Sequence, residues 1–168
     1  MLVSPISIEE ARRFASQQGF EIGQWNELKP VFGVGINSVE PTTESQSLYS
    51  LAMRLCGWIN SSDWVLIQLD NSTFPTEDET KVFERIALLE KEWNPAIERT
   101  FYIAATDSSD QLGKDVTLTL MIYFAIVFDW HIHIISGVTE RGKKLALLDG
   151  VIHFFGSKES IASSVNFF

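Results

Sequence analysis

Only one cysteine, Cys56, stands in the 168 residues. A lone thiol excludes an intrachain disulfide, so a small secreted disulfide scaffold is ruled out. Cys56 falls within an apolar helical pattern, where a buried, inert thiol is expected rather than a nucleophile. Basic residues are scarce too: 13 Lys plus Arg face 22 Asp plus Glu, a formal charge of −9. Such a balance argues against nucleic acid and anionic membrane surfaces as partners. The longest apolar run, Val116 to Phe128, spans 13 residues, short of the about 20 that a bilayer-crossing helix needs. Met1-Leu-Val-Ser-Pro-Ile6 carries no basic region, long apolar stretch or cleavage site. Together these absences predict a soluble, cytoplasmic, single-domain protein whose charge suits a basic protein partner.

Catalytic signatures are missing as well. There is no Gly-x-Ser-x-Gly elbow. Gly33 and Gly35 lack the third glycine and the following helix of a dinucleotide loop, so bulge or loop glycines are expected. No repeat or low-complexity tract interrupts the chain.

What is present is a strand–loop–helix unit at the centre. Trp64-Val-Leu-Ile-Gln-Leu69 is a nearly continuous apolar run, as in a strand covered on both faces. Asp70-Asn-Ser-Thr73 is loop chemistry. Thr76 and Glu79 fit a capping box, and Glu77, Asp78 and Glu79 put negative charge at the positive end of the helix dipole. Val82, Ile86, Leu89 and Trp93 continue the helical spacing, with Phe83 widening the stripe and Pro95 as a stop. Phe101-Tyr-Ile-Ala-Ala105 reads as the next strand. A crossover of this length implies a parallel pair.

Before the unit, Ser7 and Glu10 form a capping box for a first helix ending near Gly19. Segments 20–25 and 31–36 read as two strands around Pro30. Residues 44–59 read as a helix with Leu48, Leu51, Ala52, Leu55 and Ile59 on one face, broadened by Met53 and Cys56. After it, 116–128 is read as a buried helix, with a strand as the competing reading. Segment 131–135 is a strand. Asp149-Gly150 between apolar runs is the strongest hairpin signal in the chain, and Ser157 caps a short last helix. The expected fold is an α/β layered domain with a mixed sheet, parallel at the centre (64–69, 101–105, 131–135), and a C-terminal antiparallel meander (145–148, 151–155).

In such a sheet ligands bind beyond the carboxyl ends of parallel strands. The expected working surface therefore joins Asp70, Asn71, Thr73, Glu77, Asp78 and Glu79 with Asp107 and Asp110. A strand ending in Asp70 with Thr73 three residues on, and a second strand ending in Thr106, resembles in part the first two motifs of haloacid-dehalogenase-type phosphatases. The resemblance implies Asp70 as nucleophile, Thr106 as phosphate contact and a magnesium ion. Ser72 stands where that family has its general acid, and no paired-aspartate metal motif follows. His131 and His133 alternate and share a strand face, with His153 in the same meander; they are the weak candidates for metal ligands, and no metal or cofactor is assigned.

Trp58, Trp64 and Trp93 fit core positions, whereas Trp25 and Trp130 have no assigned burial. Aromatic anchors ringed by acids are what a protein-binding face shows. The expected function is a non-catalytic acidic inhibitor, an immunity or antitoxin protein that neutralises a basic toxin or nuclease. The alternatives are a metal-assisted hydrolase using the Asp70 and Thr106 loops, and a non-catalytic subunit of a larger assembly.

Overall fold

The computed structural model describes residues 3–30, 35–40, 47–59, 64–89, 91–104, 108–136 and 143–164. Their order is β1 (Val3–Pro5), α1 (Ile8–Gln17), β2 (Phe20–Ile22), β3 (Leu28–Pro30), β4 (Gly35–Val39), α2 (Leu48–Ile59), β5 (Trp64–Leu69), α3 (Glu77–Ala87), β6 (Thr100–Ala104), α4 (Ser108–Val127), β7 (Ile132–Ser136), β8 (Lys144–Leu148), β9 (Val151–Gly156) and α5 (Lys158–Ser164).

Seven strands form one sheet in the order β1-β6-β5-β7-β8-β9-β4, and β2 and β3 form a separate hairpin. Every neighbouring pair is antiparallel. The expected parallel centre is therefore wrong, although the α/β layering and the closing meander stand. The reason lies in the connection after β5. A parallel pair requires the chain to cross to the other end of the sheet. Here α3 stops at Ala87, because Leu88 turns into the left-handed region at φ 52°. The chain then doubles back through 91–99 and starts β6 at the end where β5 finished, with the Leu69 N–H donating to the Arg99 carbonyl at 2.8 Å. Length permits a crossover; it does not compel one.

Trp93 consequently lies outside α3. It is still buried, its ring tilted at 4.3 Å from Phe83 and edge-on at 5.7 Å from Phe101, and its indole N–H donates to the Glu98 carbonyl at 2.7 Å. Other elements follow their sequence signals. Ser7 and Glu10 make both halves of the capping box on α1. The 116–128 run is helical, within a longer α4 that packs against α2. Met53, expected to widen the buried face of α2, is exposed, while Cys56 is buried. Residues 31–34 of the expected second strand lie outside the described residues; β2 pairs with β3, and β4, which begins at Gly35, pairs with β9. At the β8–β9 turn Asp149 and Gly150 have φ of 50° and 72°, the positive pair that a two-residue type I′ hairpin demands.

The core forms two unequal layers. On one face of the sheet, α2, α3 and α4 cover Val65, Ile67, Phe101, Ile103, Ile132, Ile134 and Leu145. On the other, α1 and the β2–β3 hairpin bring Ala15, Phe20 and Leu28 onto Leu66 and Ile135. Directly opposed residues share a face, so that second face also carries a polar row, Thr100–Gln68–His133–Ala146–His153–Ser38, one residue from each of six strands.

Lys144 lies beside this row, buried beneath the hairpin. Its ammonium reaches the Leu28 carbonyl and lies 4.3 Å from the centre of the Phe155 ring. Burial pushes the amine down to about 7, against the opposing pull of Glu27. The unfolded chain holds this proton up to about 10.5, so stability should rise with pH from about 7 upward, by up to ~1.4 kcal/mol per unit. Lys144→Met should flatten that slope between pH 7 and 8.5 in urea-unfolding titrations; an unchanged slope would place the ionisation elsewhere.

Candidate functional site

The end of the sheet where β5 finishes gathers most of the chain's unusual polar chemistry. The loop 70–73 is fastened there by backbone and side chain together. The Asp70 N–H and the Thr73 hydroxyl donate to the His131 carbonyl at 3.2 and 3.1 Å, and the His131 N–H donates to Thr73 Oγ1 at 2.8 Å. Arg99 donates to the carbonyls of Asp70 and Thr73 at 2.7 and 3.0 Å. From the hairpin side, the Asn71 N–H donates to the Trp25 carbonyl at 2.7 Å and Asn26 donates to Asn71 Oδ1 at 2.7 Å. Asn26 adopts a positive φ of 62° to make this turn, a conformation that asparagine tolerates.

Within this frame Asp70 is buried. Its Oδ1 accepts from the Ser72 N–H at 2.9 Å and from the Ser72 hydroxyl. Its Oδ2 faces two imidazoles, His133 Nε2 at 3.4 Å and His131 Nδ1 at 3.7 Å. Burial pushes the Asp70 carboxyl up, but the approach of His133 and the Ser72 bonds outweigh it and hold the group below the usual carboxylate range. His133 is itself buried, and burial pushes its ring down, assisted by the Lys144 charge and opposed by Asp70 and Glu27. The 3.4 Å approach to Asp70 lacks hydrogen-bond geometry, so both ring nitrogens of His133 are without a hydrogen-bond partner. Beside it the row closes on itself: Thr100 donates to Gln68 Oε1.

His131 connects this interior to the surface. Its Nδ1 lies 2.6 Å from Ser72 Oγ, and its Nε2 lies 3.2 Å from the Asp149 N–H and 3.1 Å from Asp149 Oδ1. The one neutral tautomer that satisfies the neighbouring groups has Nε2 accepting from the Asp149 amide, Nδ1–H donating to Ser72, and the Ser72 hydroxyl donating to Asp70. That order is the reverse of a nucleophilic serine, whose proton goes to the imidazole. Ser72, His131 and Asp149 therefore resemble a catalytic triad in composition only.

The residues expected to form one surface are divided. Asp70 and Thr73 are buried structural groups rather than contact residues. Asn71 is tied to the hairpin, and Glu77 and Asp78 are exposed in the first turn of α3, Glu77 paired with Lys81 at 2.6 Å. Thr76 caps the Glu79 N–H at 3.3 Å, but the Glu79 carboxylate accepts from the Trp130 indole at 2.8 Å instead of completing a capping box. Trp130 is thereby a core residue. Asp110 lies in the first turn of α4, after β6 ends opposite the start of β5, at the far end of the sheet from Asp70. Asp107 and Thr106 lie outside the described residues. The shared rim of the two strand exits is thus overturned by the antiparallel pairing. The same geometry separates Asp70 from the end of β6, which removes the basis of the phosphatase resemblance.

His131, His133 and His153 do lie on one face, as alternation implied. His153 sits two strands from His133, bonded to Ser38 Oγ at 2.7 Å. Among the described residues no group of three His, Cys, Asp or Glu is placed to hold a metal ion, and no helix is long and apolar enough to cross a membrane. Sequence reasoning missed Ser72, Asp149 and Arg99 as parts of this cluster. Asp149 carried a turn signal that masked any other role, and nothing local marks Arg99. No protein-family model matches the chain, and comparison with curated proteins and with solved structures gives no match.

Asp70 anchors the cluster through its charge. Its depressed carboxyl contributes stability that is complete above the unfolded value near 3.9 and is lost as pH falls through the folded value. Asp70→Asn should cost about 1–3 kcal/mol at pH 7, a difference from wild type that narrows below pH 4 in denaturant titrations.

Proposed function

We propose that this is a non-catalytic protein that binds and neutralises a basic partner, in the manner of a cytoplasmic immunity or antitoxin protein. The observation that supports the reading most is a surface at the β5 exit. Trp25 is 62% exposed and Phe74 is 79% exposed, and both belong to segments fixed by the bonds around Asn71 and Arg99. Phe74 lies over the Arg99 guanidinium at 5.7 Å. Exposed acids flank the pair: Asp149, with 88% of its side chain exposed, and Glu77 and Asp78. Large exposed aromatics carried on hydrogen-bonded backbone beside acidic groups suit a binding hot spot, since less backbone freedom remains to be lost.

The charge of −9 supports the same reading through encounter rate. A strongly acidic body attracts a basic target over distances of a Debye length, about 8 Å at physiological salt, and that attraction weakens as salt rises. A nuclease toxin, whose substrate site is itself basic, fits this chemistry.

Affinity capture from cells that encode the protein should recover one basic protein, released progressively between low and high salt. Trp25→Ala and Phe74→Ala should each weaken that complex by roughly tenfold or more while leaving the unfolding midpoint of the free protein unchanged. Capture insensitive to both salt and the two substitutions would rule the surface out.

A further inference from the structure

The contacts of His131 hold two mutually exclusive arrangements within reach. Its Nε2 lies 3.2 Å from the Asp149 amide nitrogen and 3.1 Å from the Asp149 carboxylate oxygen Oδ1. A neutral ring accepts from the amide. A protonated ring carries hydrogen on both nitrogens, so it can no longer accept from that N–H and must donate to the carboxylate instead. Nδ1 needs no rearrangement, because it donates to Ser72 Oγ in either state.

We propose that His131 is a proton-operated switch on the binding rim: neutral, it holds the β8–β9 turn by the Asp149 amide; protonated, it releases that amide and draws in the Asp149 carboxylate. The turn is suited to this exchange, since Asp149 sits at a positive φ of 50° and its side chain is otherwise exposed. Histidine is the side chain whose charge changes between pH 5 and 8. Among the described residues, the groups facing the ring are Asp70 at 3.7 Å and Ser72 from the β5 exit, and Asp149 from the turn. Behind Asp70 stand His133, whose ring burial pushes down, and Arg99, whose guanidinium is bonded to the Asp70 carbonyl. Lys144 and Glu27 act on His133.

The consequence for binding rests on the reading above. Acidification would neutralise one of the exposed acids beside Trp25 and Phe74, so a basic partner would be held less tightly at pH 6 than at pH 8. The switch itself is tested without any partner, which keeps the two ideas separable. Isolated isotope-labelled protein is followed by NMR from pH 5.5 to 8, a range that leaves ordinary carboxyl groups ionised. The Asp149 amide and the His131 ring carbons should move together with one midpoint. His131→Gln should leave the Asp149 amide stationary across the range. An amide that stays still while the ring titrates in wild type would overturn the switch and leave the binding surface standing. Loss of salt-dependent capture with the NMR coupling intact would do the reverse.

Discussion

The structure depends on one strand being hydrogen-bonded along both edges and buried on both faces. β5 receives β6 on one side and β7 on the other, each antiparallel to it. That arrangement returns the chain to the same end of the sheet after α3, and brings β7 into the sheet at that end after α4. Three segments therefore meet where β5 stops: the loop after it, the turn before β6, and His131 before β7. The polar concentration there is a consequence of topology. Loop backbone leaving a buried strand must find partners, and Thr73, Arg99 and the hairpin carbonyl of Trp25 supply them.

How much of this was legible in the chain depends on the range of the interaction that decides it. Local chemistry was readable. The Ser7 box, the Thr76 cap, the Asp149-Gly150 turn and the apolar periods of α2 and α4 each rest on contacts within a few residues. Direction was not readable, because it turns on Leu88 entering the left-handed region, where neither glycine nor asparagine announces it. The same miss displaced the site. With β6 assumed parallel, Asp110 belonged beside Asp70; with β6 antiparallel, it belongs at the other end. His131 and His133 were placed on one face correctly, since alternation is local, but the burial of His133 was not foreseen. That burial depends on the β2–β3 hairpin folding over the sheet, an event separated from β7 by a hundred residues of chain.

The polar row beneath that hairpin sets the small face apart from the large one. The helical face is mostly apolar and contributes most of the burial, although Ser136, opposite Val65, and Thr117 and Thr119 of α4 are buried as well. The hairpin face carries Thr100, Gln68, His133 and Lys144, each costly to desolvate. Thr100 and Gln68 compensate one another. Lys144 does so with a carbonyl and two aromatic rings, Phe20 and Phe155. Neither ring nitrogen of His133 has a hydrogen-bond partner, and burial pushes the ring toward the uncharged form, which costs less to desolvate. The hairpin is therefore the layer whose seating is most sensitive to protonation, and it is the layer that carries Trp25.

The two margins of the large sheet are unequal. At one, β1 offers three residues ending in Pro5, which has no N–H to give. At the other, β4 offers five residues, none of them proline. Among the described strands, β4 is therefore the more open template for a further strand. A second copy pairing its own β4 with this one would use up that margin in both and leave the Pro5-bearing margins outermost.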